Sequence, residues 1–151
     1  MRLAVYFHDV VYDAKAKAPE NETRSADTFR EFAAGVAGLS VDDIETVAQW
    51  IVRTARHLDG LASGDLAHFL DADLAIFGAP PAAYAAYARE VRMEYAHVKW
   101  ADFVSGRAKV LRYYAHAETL YFTGEAASQL LGPAKLNLEA EITRLGRHSP
   151  A

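Results

Sequence analysis

Hydrophobic side chains recur along most of this chain at the three- and four-residue spacing of amphipathic helices, and no strand alternation or hairpin turn interrupts them. The spacing predicts helices over about 3–13, 23–36, 41–57, 65–77, 81–95 and 101–115, then two shorter helices that begin near Thr123 and Pro133. The pattern therefore predicts an all-α fold, a single compact helical bundle of about seven or eight helices. It would form one domain over residues 1–147, with a frayed tail over 148–151.

Composition narrows the class of protein. The 151 residues suit one domain with an ordinary core, since 52% of them are hydrophobic. The net charge of −4 argues against binding to nucleic-acid duplexes, whose protein partners are usually basic. No apolar run reaches the ~18 residues of a membrane span, and the lack of cysteine excludes disulfides and thiolate zinc sites. We expect a soluble, cytoplasmic protein without a membrane partner, and a homo-oligomer remains open.

The dipeptide His8-Asp9 is the strongest chemical signal, because it is the only strongly polar pair in the apolar run from Leu3 to Tyr12. A histidine and an aspartate inside a hydrophobic helix are costly to bury unless both groups are compensated. Both side chains can reach one cavity beside the helix, since they project about 100° apart. Together they suit a divalent ion such as Mn, Fe, Co, Ni, Zn or Mg. The alternative is a core histidine bonded to its neighbouring carboxylate.

A further carboxylate lies in the predicted fourth helix, whose apolar residues follow helical spacing and place Asp73 near the centre of the stripe that faces the core. Asp71 points about 160° away and is expected to be solvated. A lone buried aspartate either takes up a proton or needs a cation. Asp73 is therefore a candidate metal ligand. Alternatively, it caps a neighbouring helix or pairs with an arginine such as Arg53 or Arg92.

Two other residues could complete such a site. His57 ends the predicted third helix and offers either a metal ligand or a proton donor, although a histidine there is also stabilised by the helix dipole. Arg24 follows two acidic residues, Glu20 and Glu22, soon after the His8-Asp9 pair. An acid and a guanidinium near a metal could orient a water and hold a phosphate. An acidic helix cap followed by an arginine in a salt bridge explains them equally well.

The sequence contains, in this order, the segments 7–13, 21–26 and 69–78, then Tyr84 and Tyr87, and the segment 92–95. Together these parts of the chain resemble the predicted metal-dependent phosphohydrolases of the HD superfamily. The resemblance covers most of the chain, and its segments come in the expected order. The His-Asp dipeptide alone is weak support, but its combination with the Asp-Ala-Asp-Leu helix is fairly specific.

The resemblance implies an HD-domain fold with a divalent metal held by a histidine, the His-Asp pair and a distant aspartate. His8 and Asp9 match the pair, and the distant aspartate falls between Asp71 and Leu74. We select Asp73, because it is predicted to face the core and because cyclic-nucleotide phosphodiesterases of this superfamily place their metal aspartate directly before a leucine. The family's first metal histidine lies on a preceding helix, whereas the seven residues before His8 contain none.

The ligand set is therefore incomplete in this sequence. A longer native chain would supply the missing histidine, His57 could substitute for it, or the protein is a degenerate member of the family. The leading hypothesis is hydrolysis of a small phosphorylated substrate, such as a nucleotide, by a metal-activated water. Asp9 would help to orient or deprotonate that water, and Arg24 or Arg92 would neutralise phosphate charge. The alternatives are a catalytically impaired HD-fold binding module and a structural helical domain.

Overall fold

The structure is a computed structural model, and it describes residues 1–147. Within that range it contains seven α-helices and no strand. The helices are α1 (Arg2–Phe7), α2 (Glu20–Ala33), α3 (Val41–Arg53), α4 (Gly64–Asp73), α5 (Pro81–Glu94), α6 (Trp100–Ala115) and α7 (Gly124–Arg147). Short 3-10 turns, Thr54–Arg56 and Leu74–Gly78, follow α3 and α4. The predicted all-α class and helix number are confirmed, and the tail predicted over 148–151 lies outside the described residues.

None of the helices that the structure describes is both long and apolar enough to cross a membrane.

The chain divides into two compact units, Met1–Leu70 and Asp71–Ala151. Helix α4 begins in the first unit and ends in the second. The single domain expected from the sequence stays a prediction.

In the first unit α1, α2 and α3 pack against one another. The start of α3 is fixed by a capping box, because Ser40 accepts from the Asp43 N–H and the Asp43 carboxylate accepts from the Ser40 N–H. The Ser40 hydroxyl also donates to the Asp43 carboxylate at 2.6 Å, and this bond, together with that from the Ser40 N–H, lowers the pKa of Asp43. Helices α2 and α3 are further joined by a forked pair, in which Arg30 Nε and Nη2 donate to Glu45 at 2.8 and 3.0 Å. The buried apolar side chains of these helices include Ala4, Ala26, Phe29, Ala48 and Ile51.

In the second unit α7 packs against α6 and against the 3-10 turn Leu74–Gly78. The turn is fastened by Asn137, whose amide donates to the carbonyls of Phe77 and Ala79, both at 2.8 Å. Because Asn137 is buried, these two bonds satisfy groups that water does not reach. The apolar core of the unit includes Phe77, Tyr84, Leu111, Leu120 and Leu138.

Several helix predictions are wrong in their bounds. Helix α2 covers Glu20–Ala33 rather than 23–36, and α3 and α4 end at Arg53 and Asp73 rather than near 57 and 77. The first helix ends at Phe7 rather than near Asp13, because Ser25 and Asn21 of α2 bond the backbone of Val11 and Asp13. These side chains replace the hydrogen bonds that a continuing helix would have made.

The two C-terminal helices expected from Thr123 and Pro133 are a single helix, α7, with Pro133 inside it. Proline removes one backbone donor from a helix. The residues that follow, Ala134, Asn137 and Leu138, are buried at helical spacing, and this packing favours continuation of the helix through the proline.

Candidate functional site

The His8-Asp9 pair lies at the carboxyl end of α1, where His8 is the residue that caps the helix. The prediction that both side chains are buried inside a helix is therefore wrong. The Asp9 side chain is 64% exposed, and that of His8 is 20% exposed. The imidazole packs edge-on against Phe69 of α4, with 5.9 Å between the ring centroids. The pair thus stands at a helix end with the histidine sheltered and the carboxylate open to solvent.

Both ring nitrogens of His8 lie near oxygen atoms. Nδ1 is 3.0 Å from the carbonyl oxygen of Val5, and Nε2 is 3.3 Å from Oδ2 of Asp9. A carbonyl oxygen can only accept, so Nδ1 carries a proton, and in a neutral ring Nε2 then presents a lone pair to the carboxylate. That contact is favourable when the ring is protonated or when both atoms bind one cation from the same side. Metal-binding histidines commonly donate their other ring N–H to a backbone carbonyl in this way.

Glu22, in the first turn of α2, adds a second observation in the same unit. Its Oε2 atom is buried and has no hydrogen-bond partner among the described residues. Ser25, one turn later on α2, bonds the backbone of Val11, so this side of α2 runs along the segment that follows the His8-Asp9 pair. A buried carboxylate oxygen without a hydrogen-bond donor is a candidate ligand for a cation. Glu22 is therefore a further oxygen donor of the first unit, in addition to the His8-Asp9 pair.

The other first-unit candidates lie on different elements. Arg24 is exposed on α2, and the carbonyl of this residue accepts from the Thr28 hydroxyl at 2.9 Å. His57 directly follows the 3-10 turn Thr54–Arg56 and is only 5% exposed. It therefore follows α3 and the turn rather than ending α3 as predicted, and its ring is largely withdrawn from solvent.

The predicted orientation of the two aspartates in α4 is reversed. Asp71, which we expected to be solvated, is only 4% exposed, whereas Asp73 is half-buried. The Asp71 carboxylate accepts from the Phe122 N–H at 2.7 Å, and from the N–H and hydroxyl of Thr123 at 2.8 and 2.7 Å. The Thr123 hydroxyl in turn accepts from Ala126 N–H at 3.2 Å. Asp71 thus anchors the amino end of α7.

The physical reason for the reversal is that α4 is apolar on more than one side. Phe69 and Leu70 are buried as the selected stripe requires, but Ala67, which lies outside that stripe, is buried as well, whereas Leu66 is only half-buried. Asp73 belongs to the second unit, where its negative charge acts, after burial, to raise the pKa of Tyr114 well above its usual range. Its role as a metal ligand stays a prediction.

Arg92, a candidate for phosphate binding, has structural contacts in the second unit. Its guanidinium donates to the backbone carbonyls of Tyr95 and Val98, which follow the end of α5. The same group lies over the rings of Phe103 and Trp100, at 4.8 and 5.6 Å from their centroids. Arg92 therefore closes the carboxyl end of α5 onto α6.

The sequence reasoning missed a buried polar network in the second unit. Arg107 Nε and Nη2 donate to the two oxygens of Glu141 at 3.0 and 3.2 Å, and the Tyr84 hydroxyl donates to the same carboxylate at 2.6 Å. Burial and this hydrogen bond raise the pKa of Tyr84 far above its usual range. The three residues lie 34 and 57 positions apart in sequence, so no local pattern relates them.

Within neither unit, over residues 1–147, do three His, Asp or Glu side chains form a group spaced to hold a metal ion. Comparisons with protein-family models, with curated proteins and with solved structures find no match. The resemblance to the HD superfamily therefore stays a prediction from the sequence motifs.

Proposed function

We propose that this protein is a metal-dependent phosphohydrolase that acts on a small phosphorylated substrate, such as a nucleotide. The observation that carries the proposal is the orientation of His8. Its Nδ1 faces the Val5 carbonyl, so its Nε2 and the Asp9 carboxylate are left side by side, 3.3 Å apart. A nitrogen and an oxygen donor in this arrangement are suited to a shared divalent cation.

The residues have separate tasks in this proposal. His8 and Asp9 bind the metal, and Asp73 is added to the ligand set through the resemblance to the HD superfamily. A bound divalent ion would supply a water of lowered pKa as the nucleophile toward phosphorus. Asp9 has an exposed carboxylate, so it can also accept the proton of an attacking water. Arg24, exposed on α2, is the cation assigned to the phosphate charge.

Metal content is the first test. The protein is equilibrated with Mn²⁺, Co²⁺, Ni²⁺ or Zn²⁺, freed of unbound ion and measured by elemental mass spectrometry. We expect stoichiometric metal in the unmodified chain and its loss in His8→Ala and in Asp9→Asn. His68→Ala is the matched control, because His68 is an exposed histidine of the same unit. Equal metal content in all four proteins would remove the His8-Asp9 site from consideration.

Turnover is the second test, on phosphomonoesters, phosphodiesters and nucleotides, with and without a chelator. Hydrolysis should require the metal, and His8→Ala and Asp73→Asn should each lower it about 100-fold or more, since loss of even an outer partner commonly costs 10–100-fold. Unchanged turnover in both variants would eliminate the assignment. Bound metal without turnover on any substrate would instead favour the alternative, a binding or interaction module with an HD fold.

A further inference from the structure

A cavity of about 210 Å³ lies in the second unit among α5, α6 and α7, and three arginines line it. Arg89 and Arg92 come from α5, and Arg144 comes from α7. The chain as a whole carries a net charge of −4, so this concentration of positive charge does not follow from its composition. Like charges around one cavity repel each other and raise the local concentration of anions.

The acid among the lining residues is itself paired with another arginine. It is Glu141, and its carboxylate already accepts two hydrogen bonds from Arg107 and one from Tyr84. Arg107 thus balances the charge of Glu141 within the buried network. The residues that line the cavity therefore include three cationic side chains and one carboxylate, whose charge Arg107 already balances.

One wall of the cavity is aromatic. The rings of Trp100 and Phe103 lie 5.9 Å apart and only 28° from parallel, and Arg92 is held over both. Trp100 is 39% exposed, so part of its indole is accessible from solvent. Because Arg92 also bonds backbone carbonyls at the end of α5, it forms a fixed part of this wall. Arg89 and Arg144 also line the cavity, and both residues are exposed.

We propose that this cavity binds a small planar aromatic anion, that is, a ring that carries a carboxylate or a phosphate group. The ring would stack beside Trp100, and the anionic group would lie between Arg89 and Arg144. A planar guanidinium matches the paired oxygens of either anion, and aromatic rings favour offset stacking. The cavity is smaller than the ~300 Å³ at which pockets for drug-sized ligands begin, so it suits a single ring. The site shares no residue with His8, Asp9 and Asp73.

Fluorescence of Trp100 gives a direct readout. The chain has two tryptophans, and Trp50→Phe leaves Trp100 as the one fluorophore of this type. Benzoate and phenyl phosphate are the probes. Benzyl alcohol provides a ring without charge, and inorganic phosphate provides charge without a ring. We expect saturable changes with both probes, at dissociation constants of about 1 mM or tighter for ligands of this size. Their relative affinities distinguish the carboxylate from the phosphate.

Variants connect binding to the cavity. In the same background, Arg89→Gln with Arg144→Gln should weaken binding of the probes about tenfold or more, because both anion contacts are lost. Arg112→Gln is the matched control, an exposed arginine of α6 that does not line the cavity. It should leave the affinity unchanged, and thermal unfolding should show that all variants are folded.

Three results would overturn the proposal. They are the absence of saturable binding, equal affinity in the double variant, and equal affinity for benzyl alcohol or inorganic phosphate. Because none of these measurements requires a divalent metal, failure here is distinguishable from failure of the proposed phosphohydrolase activity.

Discussion

Asp71→Asn is the substitution for which the structure makes its sharpest prediction. The Asp71 carboxylate accepts three hydrogen bonds, from two backbone N–H groups and one hydroxyl, at distances of 2.7 to 2.8 Å. The residue is only 4% exposed, so water cannot replace a lost acceptor. Asparagine keeps the shape of aspartate but offers one accepting oxygen, and its NH₂ group faces donors where the second carboxylate oxygen stood.

The expected loss of stability follows from the hydrogen bonds that the substitution removes. At least one buried backbone N–H loses its partner, which costs about 1–3 kcal/mol, and the remaining bonds lose the strength that the negative charge gives them. Weakening of the Thr123 cap on α7 adds about 1 kcal/mol. We therefore expect Asp71→Asn to lower the free energy of unfolding by about 2–4 kcal/mol.

Urea denaturation followed by far-ultraviolet circular dichroism measures this loss. Asp65→Asn is the control, because Asp65 lies on the same helix with a side chain that is 69% exposed. The control should change the free energy of unfolding by less than about 0.5 kcal/mol. A loss of under about 1 kcal/mol in Asp71→Asn would refute the conclusion that this carboxylate anchors α7.

Three further substitutions probe the second unit. A Cβ atom at Gly78 would lie 2.7 Å from Cβ of Leu130, so Gly78→Ala should cost about 1–3 kcal/mol by overpacking, measured by thermal unfolding. Gly106→Ala, inside α6 with open space around it, should instead stabilise the protein by about 0.5–1 kcal/mol, and equal effects would contradict the packing argument. Glu141→Gln leaves the buried Arg107 charge uncompensated and should cost about 3–5 kcal/mol in urea denaturation, and a wild-type midpoint would speak against a buried pair.

Helix positions were predictable from the sequence where local signals fix them. Ser40 and Asp43 form the capping box that begins α3, and Pro81 occupies the first turn of α5, as each pattern indicates. Such signals act within four residues, so the chain needs no tertiary partner to express them. The continuation of α7 through Pro133 could not be read in the same way, because it depends on burial against distant elements.

The end of α1 has a similar explanation. The apolar run continues well past Phe7, and periodicity alone predicts that the helix continues with it. The structure ends the helix there because Ser25 and Asn21 take up the backbone groups of Val11 and Asp13. Because the helix ends there, the Asp9 side chain lies in solvent rather than in a core.

The structure removes the premise on which Asp73 was preferred to Asp71, and the preference stays a prediction that now rests on a different argument. Asp73 was selected because it was expected to be the buried aspartate, and that premise is wrong. Yet Asp71 accepts from Phe122 and Thr123 through both of its carboxylate oxygens. A metal ion on Asp71 would have to compete with the donors that hold the start of α7, and its binding would therefore oppose the fold. Asp73 is half-buried and has no part in that anchor, so a cation there could be bound without releasing α7. Metal binding that survives Asp73→Asn but not Asp71→Asn in folded protein would reverse this argument.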